Sequence, residues 1–165
     1  MKFKKVSFTK FIDGYTHRGS ESHVEAHLNY EDIKMPKRAT KGSAGYDFFS
    51  PFDFALKPGE SIMIPTGIRC KMDDDQVLLI FPRSGMGFKY RLQLDNTVGV
   101  IDSDYYYSDN EGHIMAKITN DGREGKTLEV KKGQAFMQGI VVRYCIADDD
   151  STDGVRNGGF GSTDK

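Results

Sequence analysis

The chain has 165 residues, which suits one domain with a core of its own. Its 23 Lys and Arg nearly cancel 24 Asp and Glu, leaving a formal net charge of -1. That balance argues against a duplex-binding surface, and no run approaches the ~18 apolar residues of a membrane-spanning helix. The basic start, residues 1–5, is not followed by the apolar stretch of a secretory signal. Residues 16–32 are polar and carry His17, His23 and His27. His23 and His27 would share one face of a helix, but a metal site needs a third ligand, so an exposed insertion or short helix is expected. From there on, strand periodicity dominates. Ile62 and Ile64 alternate with their neighbours, as do Ile68, Cys70 and Met72. Residues 77–81 form a short apolar run of buried-strand type. Ile114, Ala116 and Ile118 alternate again, and residues 137–146 are rich in β-branched side chains. Turn signals separate these runs at residues 57–59, 73–75, 120–122 and 132–133. Many short strands of this kind predict an all-β sandwich or barrel. Cys70 and Cys145 lie far apart, outside any CxxC or metal-ligand spacing, and read as reduced thiols of a cytoplasmic chain. The acidic residues 148–153 read as a solvated linker to a glycine-rich tail.

Five short segments carry chemistry beyond that of ordinary turns. The first, Ala44-Gly45-Tyr46-Asp47-Phe48, sets one carboxylate beside aromatics on a closely packing backbone. The second, Pro82-Arg83-Ser84-Gly85, follows the buried run directly. Ser84 there is expected to cap a short helix, with Arg83 as a planar donor suited to phosphate oxygens. The third runs from Asn96 to Tyr105. In it an apolar stretch, residues 98–101, ends abruptly on Asp102, followed by Asp104. A carboxylate at the end of a buried strand can be held against a substrate and polarise a water. The Asn96 amide offers both donors and an acceptor, as a pyrimidine edge demands. The fourth is Gln138, one polar residue inside a β-branched strand. The fifth, residues 156–163, interleaves Arg156, Phe160, Ser162 and Thr163 with glycines. Its amides and hydroxyls could cradle phosphates, and Phe160 could stack on a base. Taken singly, each segment also fits a blander role as a turn, a cap or a satisfied core residue.

In this order the five segments resemble the five motifs of the trimeric all-β dUTP diphosphatases (dUTPases), from about residue 34 to residue 163. Residues 37–45 and 102–107 look especially like the phage and Gram-positive versions. The resemblance implies a jelly-roll-like β-barrel assembled as a homotrimer. Residues 1–154 would be the β domain, with 16–32 as an additional segment, and residues 155–165 a flexible arm. It implies hydrolysis of dUTP to dUMP and pyrophosphate, by attack of an Asp102-activated water on the α-phosphorus. Asn96 and the main chain at Gly99 would pair with uracil, and Tyr105 would pack beneath the deoxyribose. Arg83, Ser84, Gly85 and Gln138 would contact phosphates. Asp47 would reach Mg²⁺ through water. Arg156 would grip the γ-phosphate, Phe160 would stack over the base, and Gly161, Ser162 and Thr163 would wrap the phosphates. The arm would reach a neighbour's site. Ala135 departs from the family, which carries an Arg three residues before the Gln. Two alternatives belong with this reading. One is a dCTP deaminase, or a bifunctional deaminase and diphosphatase, of similar fold. The other is a trimer that binds a regulatory protein partner.

Overall fold

The computed structural model describes residues 1–15, 23–154 and 156–159. The elements in chain order are β1 (Lys2–Lys5), α1 (Phe8–Tyr15), α2 (His23–Glu31), β2 (Lys37–Arg38), β3 (Tyr46–Phe49), β4 (Phe54–Leu56), β5 (Ser61–Pro65) and β6 (Ile68–Lys71). They continue with β7 (Gln76–Pro82), α3 (Ser84–Tyr90), β8 (Leu92–Leu94) and β9 (Gly99–Asp102). After a 3₁₀ turn over Asp104–Tyr107 come β10 (Met115–Asn120), β11 (Leu128–Val130) and β12 (Ala135–Arg143).

The expected strands are present and pair antiparallel, in four sheets. The largest has the order β2-β3-β12-β7-β9, with β12 at its centre. There the β-branched stretch ends as a strand at Arg143, three residues short of the sequence expectation. The second sheet, β5-β10-β8, carries the alternating Ile62, Ile64, Ala116 and Ile118. Among the described residues the ladders do not close into a barrel; the chain is mostly β, with few helices. The inward positions meet in one core around Phe48, Ile64, Leu78, Ile118 and Phe136, all at most 1% exposed.

α1 was not expected from the sequence, whereas α2 falls within the segment expected to be an exposed insertion or short helix. In α1, Phe8, Phe11, Ile12 and Tyr15 fall at helical spacing, and the Ser7 hydroxyl accepts a hydrogen bond from the Lys10 N–H at 3.3 Å, capping the first turn. Phe11 and Tyr15 are fully buried. α2 holds the back half of the polar segment. It buries Ala26 and packs on α1 through Asn29, whose Nδ2 donates to the Tyr15 hydroxyl at 2.8 Å. His27 meets the Phe8 ring edge-on at 5.0 Å. His17 lies outside the described residues. Both cysteines are free thiols, Cys70 buried and Cys145 exposed. No helix among the described residues is long and apolar enough to cross a membrane.

Candidate active site

The predicted phosphate contacts gather at one end of the large sheet. Gln138 stands opposite Asp47 on one side and Phe81 on the other, because β12 lies between β3 and β7. β7 ends at Pro82, and Arg83 turns back so that its Nε lies 3.2 Å from Asp47 Oδ1. Gln138 Nε2 points at the Pro82 carbonyl, 3.5 Å away. Gly45 lets the first motif lie against this amide: a Cβ there would stand 2.7 Å from Gln138 Oε1. Ser84 does not cap the following helix as expected. Arg83 is the capping residue, extended and without a side-chain cap bond, and Ser84 is the first helical residue, exposed to solvent. Ala135 is buried, so this chain sets a methyl group in the core three residues before Gln138.

The second group forms around β9. Asn96 begins a tight turn in which Thr97 adopts φ +65°, and Val98 N–H donates to the Asn96 carbonyl at 2.8 Å. The chain then runs through Gly99 to Asp102 on the sheet's edge, and the 3₁₀ turn puts Tyr105 inward with 6% exposure. Asn96, Gly99, Tyr105, Arg156 and Gly159 line one cleft of about 160 Å³. Arg156 ion-pairs with Asp102 through Nη2, and its Nε lies 3.0 Å from Asp104 Oδ1. Gly159 brings the tail's backbone against the Tyr105 ring, where a Cβ would stand 2.9 Å from the nearest ring carbon. Thus residues 156–159 sit on the Asp102 group of their own chain. Phe160, Gly161, Ser162 and Thr163 lie outside the described residues.

One chain brings Gly99 to within three residues of Arg83 along β7, opposite Ile80, but leaves Asp102 remote from the phosphate contacts. Asp102 pairs with Val77 at the start of β7, and Arg83 follows that strand's end. Six residues of extended chain separate Val77 from Arg83, about 20 Å at ~3.3 Å each.

Three further residues complete the second group, of which only Asp104 was named in the sequence reading. Asp104 is the second anchor of Arg156. Asn110 donates from Nδ2 to the Tyr105 hydroxyl at 2.7 Å, and that hydroxyl donates to the His113 carbonyl at 2.9 Å. Burial pushes the Tyr105 phenol up, partly offset by Asn110 and the Arg156 charge. His113 is itself buried. Its Nε2 accepts the Gly67 N–H at 2.9 Å, so Nδ1 carries the proton toward the Lys10 carbonyl at 3.1 Å. Burial pushes its pKa down to about 4, against weaker opposing effects of the Lys10 carbonyl and nearby carboxylates. The sequence signal for Asn110 and His113 is slight: polar side chains just after the third motif.

Comparison with known proteins points to one family. A family model described as dUTPase matches residues 31–163. The deoxyuridine 5'-triphosphate nucleotidohydrolase of Lactococcus lactis is 42% identical over 134 residues, covering 79% of this chain and 88% of that protein. The protein of the same name from Shewanella amazonensis is 37% identical over 136 residues, covering 79% and 86%. Among solved structures, the dUTPase of Streptococcus mutans superposes with TM-score 0.66 at 30% identity, over 90% of this chain and 99% of that one. The dUTPase of the Staphylococcus aureus phage phi11 shares the fold, with TM-score 0.62 at 24% identity, over 77% and 94%.

Proposed function

This chain belongs to the dUTPase family, and from that premise we propose how its residues divide the work. The enzyme hydrolyses dUTP to dUMP and pyrophosphate. The observation that carries the division of roles is the cleft itself. It joins an amide at Asn96, a glycine backbone at Gly99, a buried aromatic floor at Tyr105 and, through Arg156, the carboxylate of Asp102.

In this reading, Asn96 and the main chain at Gly99 take the uracil edge. Tyr105 lies beneath the deoxyribose and leaves no room for a 2′-hydroxyl. Asp102 orients a water and takes its proton as the oxygen attacks the α-phosphorus. Pyrophosphate is the leaving group, and the barrier falls mainly through positioning and charge neutralisation. Arg83, Ser84, Gly85 and Gln138 hold the triphosphate. Arg156 exchanges its carboxylate partners for the γ-phosphate. Phe160, Gly161, Ser162 and Thr163 close over the nucleotide and exclude water. Asp47 suits an outer-sphere role toward Mg²⁺: it is a single carboxylate already paired with Arg83, fit for an ion whose other ligands are phosphate and water. When bound, that ion would neutralise charge on the triphosphate.

The 20 Å between Asp102 and Arg83 supports a site completed between subunits. A jelly-roll-like C₃ homotrimer supplies this by a head-to-tail interface, with Asp102 from one subunit and Arg83 from the next. The test is pyrophosphate release with dUTP, UTP, dTTP and dCTP across a magnesium titration. The reading expects magnesium-dependent turnover of dUTP far above the other three. Comparable turnover of UTP, or deamination of dCTP, would overturn it.

A further inference from the structure

We propose that Asn110 is a positioning residue that sets the Tyr105 ring for the choice of deoxyribose over ribose. This rests on the reading of Tyr105 as the floor beneath the sugar. A ring can refuse a 2′-hydroxyl only if it does not yield. Tyr105 is fixed at its Cα by the 3₁₀ turn, and its far end is fixed by a directed chain of hydrogen bonds. Gly112 N–H donates to Asn110 Oδ1 at 3.1 Å, which settles the orientation of the amide. Nδ2 then faces the Tyr105 hydroxyl at 2.7 Å and donates to it. The hydroxyl's own proton is left for the His113 carbonyl at 2.9 Å.

The loop that carries Asn110 is held firmly enough to serve. Gly112 has φ +67°, and a Cβ there would stand 2.6 Å from the Tyr105 carbonyl, so only glycine lets the chain fold back this closely. Glu111 beside it adopts φ +60° without being glycine. Its carboxylate is tied down by the Ser7 N–H at 2.8 Å and by Arg69 Nη1 at 3.2 Å. The chain therefore runs from the capping residue of α1, through Glu111 and Asn110, to the tip of the ring.

The experiment measures kcat/KM for dUTP, UTP and dTTP in Asn110→Ala, Asn110→Ser, Tyr105→Phe and the double variant Tyr105→Phe with Asn110→Ala. Serine keeps an oxygen for the Gly112 N–H but is too short to reach the ring, so it preserves the turn should alanine not fold. Losing one such hydrogen bond should cut the preference for dUTP over UTP by about five- to tenfold, with dTTP rejection unchanged. Tyr105→Phe, which loses both of the hydroxyl's hydrogen bonds, should show at least that cut, and adding Asn110→Ala to it should change nothing further. An unchanged preference in the Asn110 variants would overturn the proposal. So would an equal further loss in the Tyr105→Phe background, the mark of a merely structural role. Tyr105→Ala separates the two levels. If it leaves UTP rejection intact, the reading of Tyr105 itself fails. If it relaxes sugar choice while Asn110→Ser does not, only the role of Asn110 fails.

Discussion

Asp102 ends an edge strand with its side chain half exposed, within reach of both water and the tail's Arg156. Asp102→Asn keeps the shape and removes the proton acceptor. Turnover should fall about 10²–10⁴-fold while a nonhydrolysable dUTP analogue still binds. Near-normal turnover in that variant would remove Asp102 from the mechanism. Its place at a strand end was legible in the sequence, since an apolar run broken by a carboxylate marks a strand opening on a polar site. That strand is, however, a half-exposed edge strand, with Val100 56% exposed, and not the buried one expected. His113 was not legible in this way, because its role depends on Gly67 and Lys10, which only folding brings near. Its pKa is about 4 in the fold, against roughly 6.5 in an unfolded chain. The unfolded state therefore takes up the proton first. The stability associated with neutral His113 is fully present above pH ~6.5 and is lost as pH falls through about 4, amounting to about 3 kcal/mol. Urea melts between pH 7.5 and 4 should show this slope, and His113→Gln should flatten it. An unaltered slope would mean that other groups dominate the acid response.

At the scale of elements, α1 was available to sequence reading. Phe8, Phe11, Ile12 and Tyr15 follow the helical period, and Ser7 precedes them as a cap. Its two turns are short enough for the neighbouring polar segment to hide the pattern. α2 offers no such signal. Its face is only weakly apolar, and it is held by Asn29 on Tyr15 and by the Tyr30 hydroxyl donating to the Val6 carbonyl at 2.6 Å. Both helices lie before or at the start of the region matched by the family, yet Phe11 is fully buried. Phe11→Ala should cost about 3–5 kcal/mol in a urea melt and leave kcat at 25 °C near normal. Loss of kcat without loss of stability would give the helices a role in the chemistry. The tail behaves in the opposite way. Residues 156–159 place Arg156 on Asp102 and Gly159 on Tyr105. Deleting residues 156–165 should leave circular dichroism and oligomeric state intact and lower turnover by about 10²–10³-fold. Full activity without the tail would reduce it to a linker.

For the whole molecule, alternation and turn residues foretold the mostly β architecture, because both follow from local chemistry. The pairing of β12 between β3 and β7 did not follow, since it joins residues far apart in the chain. That pairing sets Asp47, Arg83 and Gln138 at one end of a sheet, with Asp102 displaced along it by about 20 Å. The central claim is that two subunits reunite these groups. Its most direct measurement is the activity of mixed oligomers made from Asp102→Asn and Arg83→Ala chains, unfolded together and refolded, with mixing verified by differently tagged chains. Each variant alone should be nearly inactive. In a closed ring, junctions that join an intact Asp102 to a neighbour's intact Arg83 should restore activity at roughly a quarter of the sites. No recovery in verified mixed oligomers would contradict the claim and place both groups of each working site in a single chain.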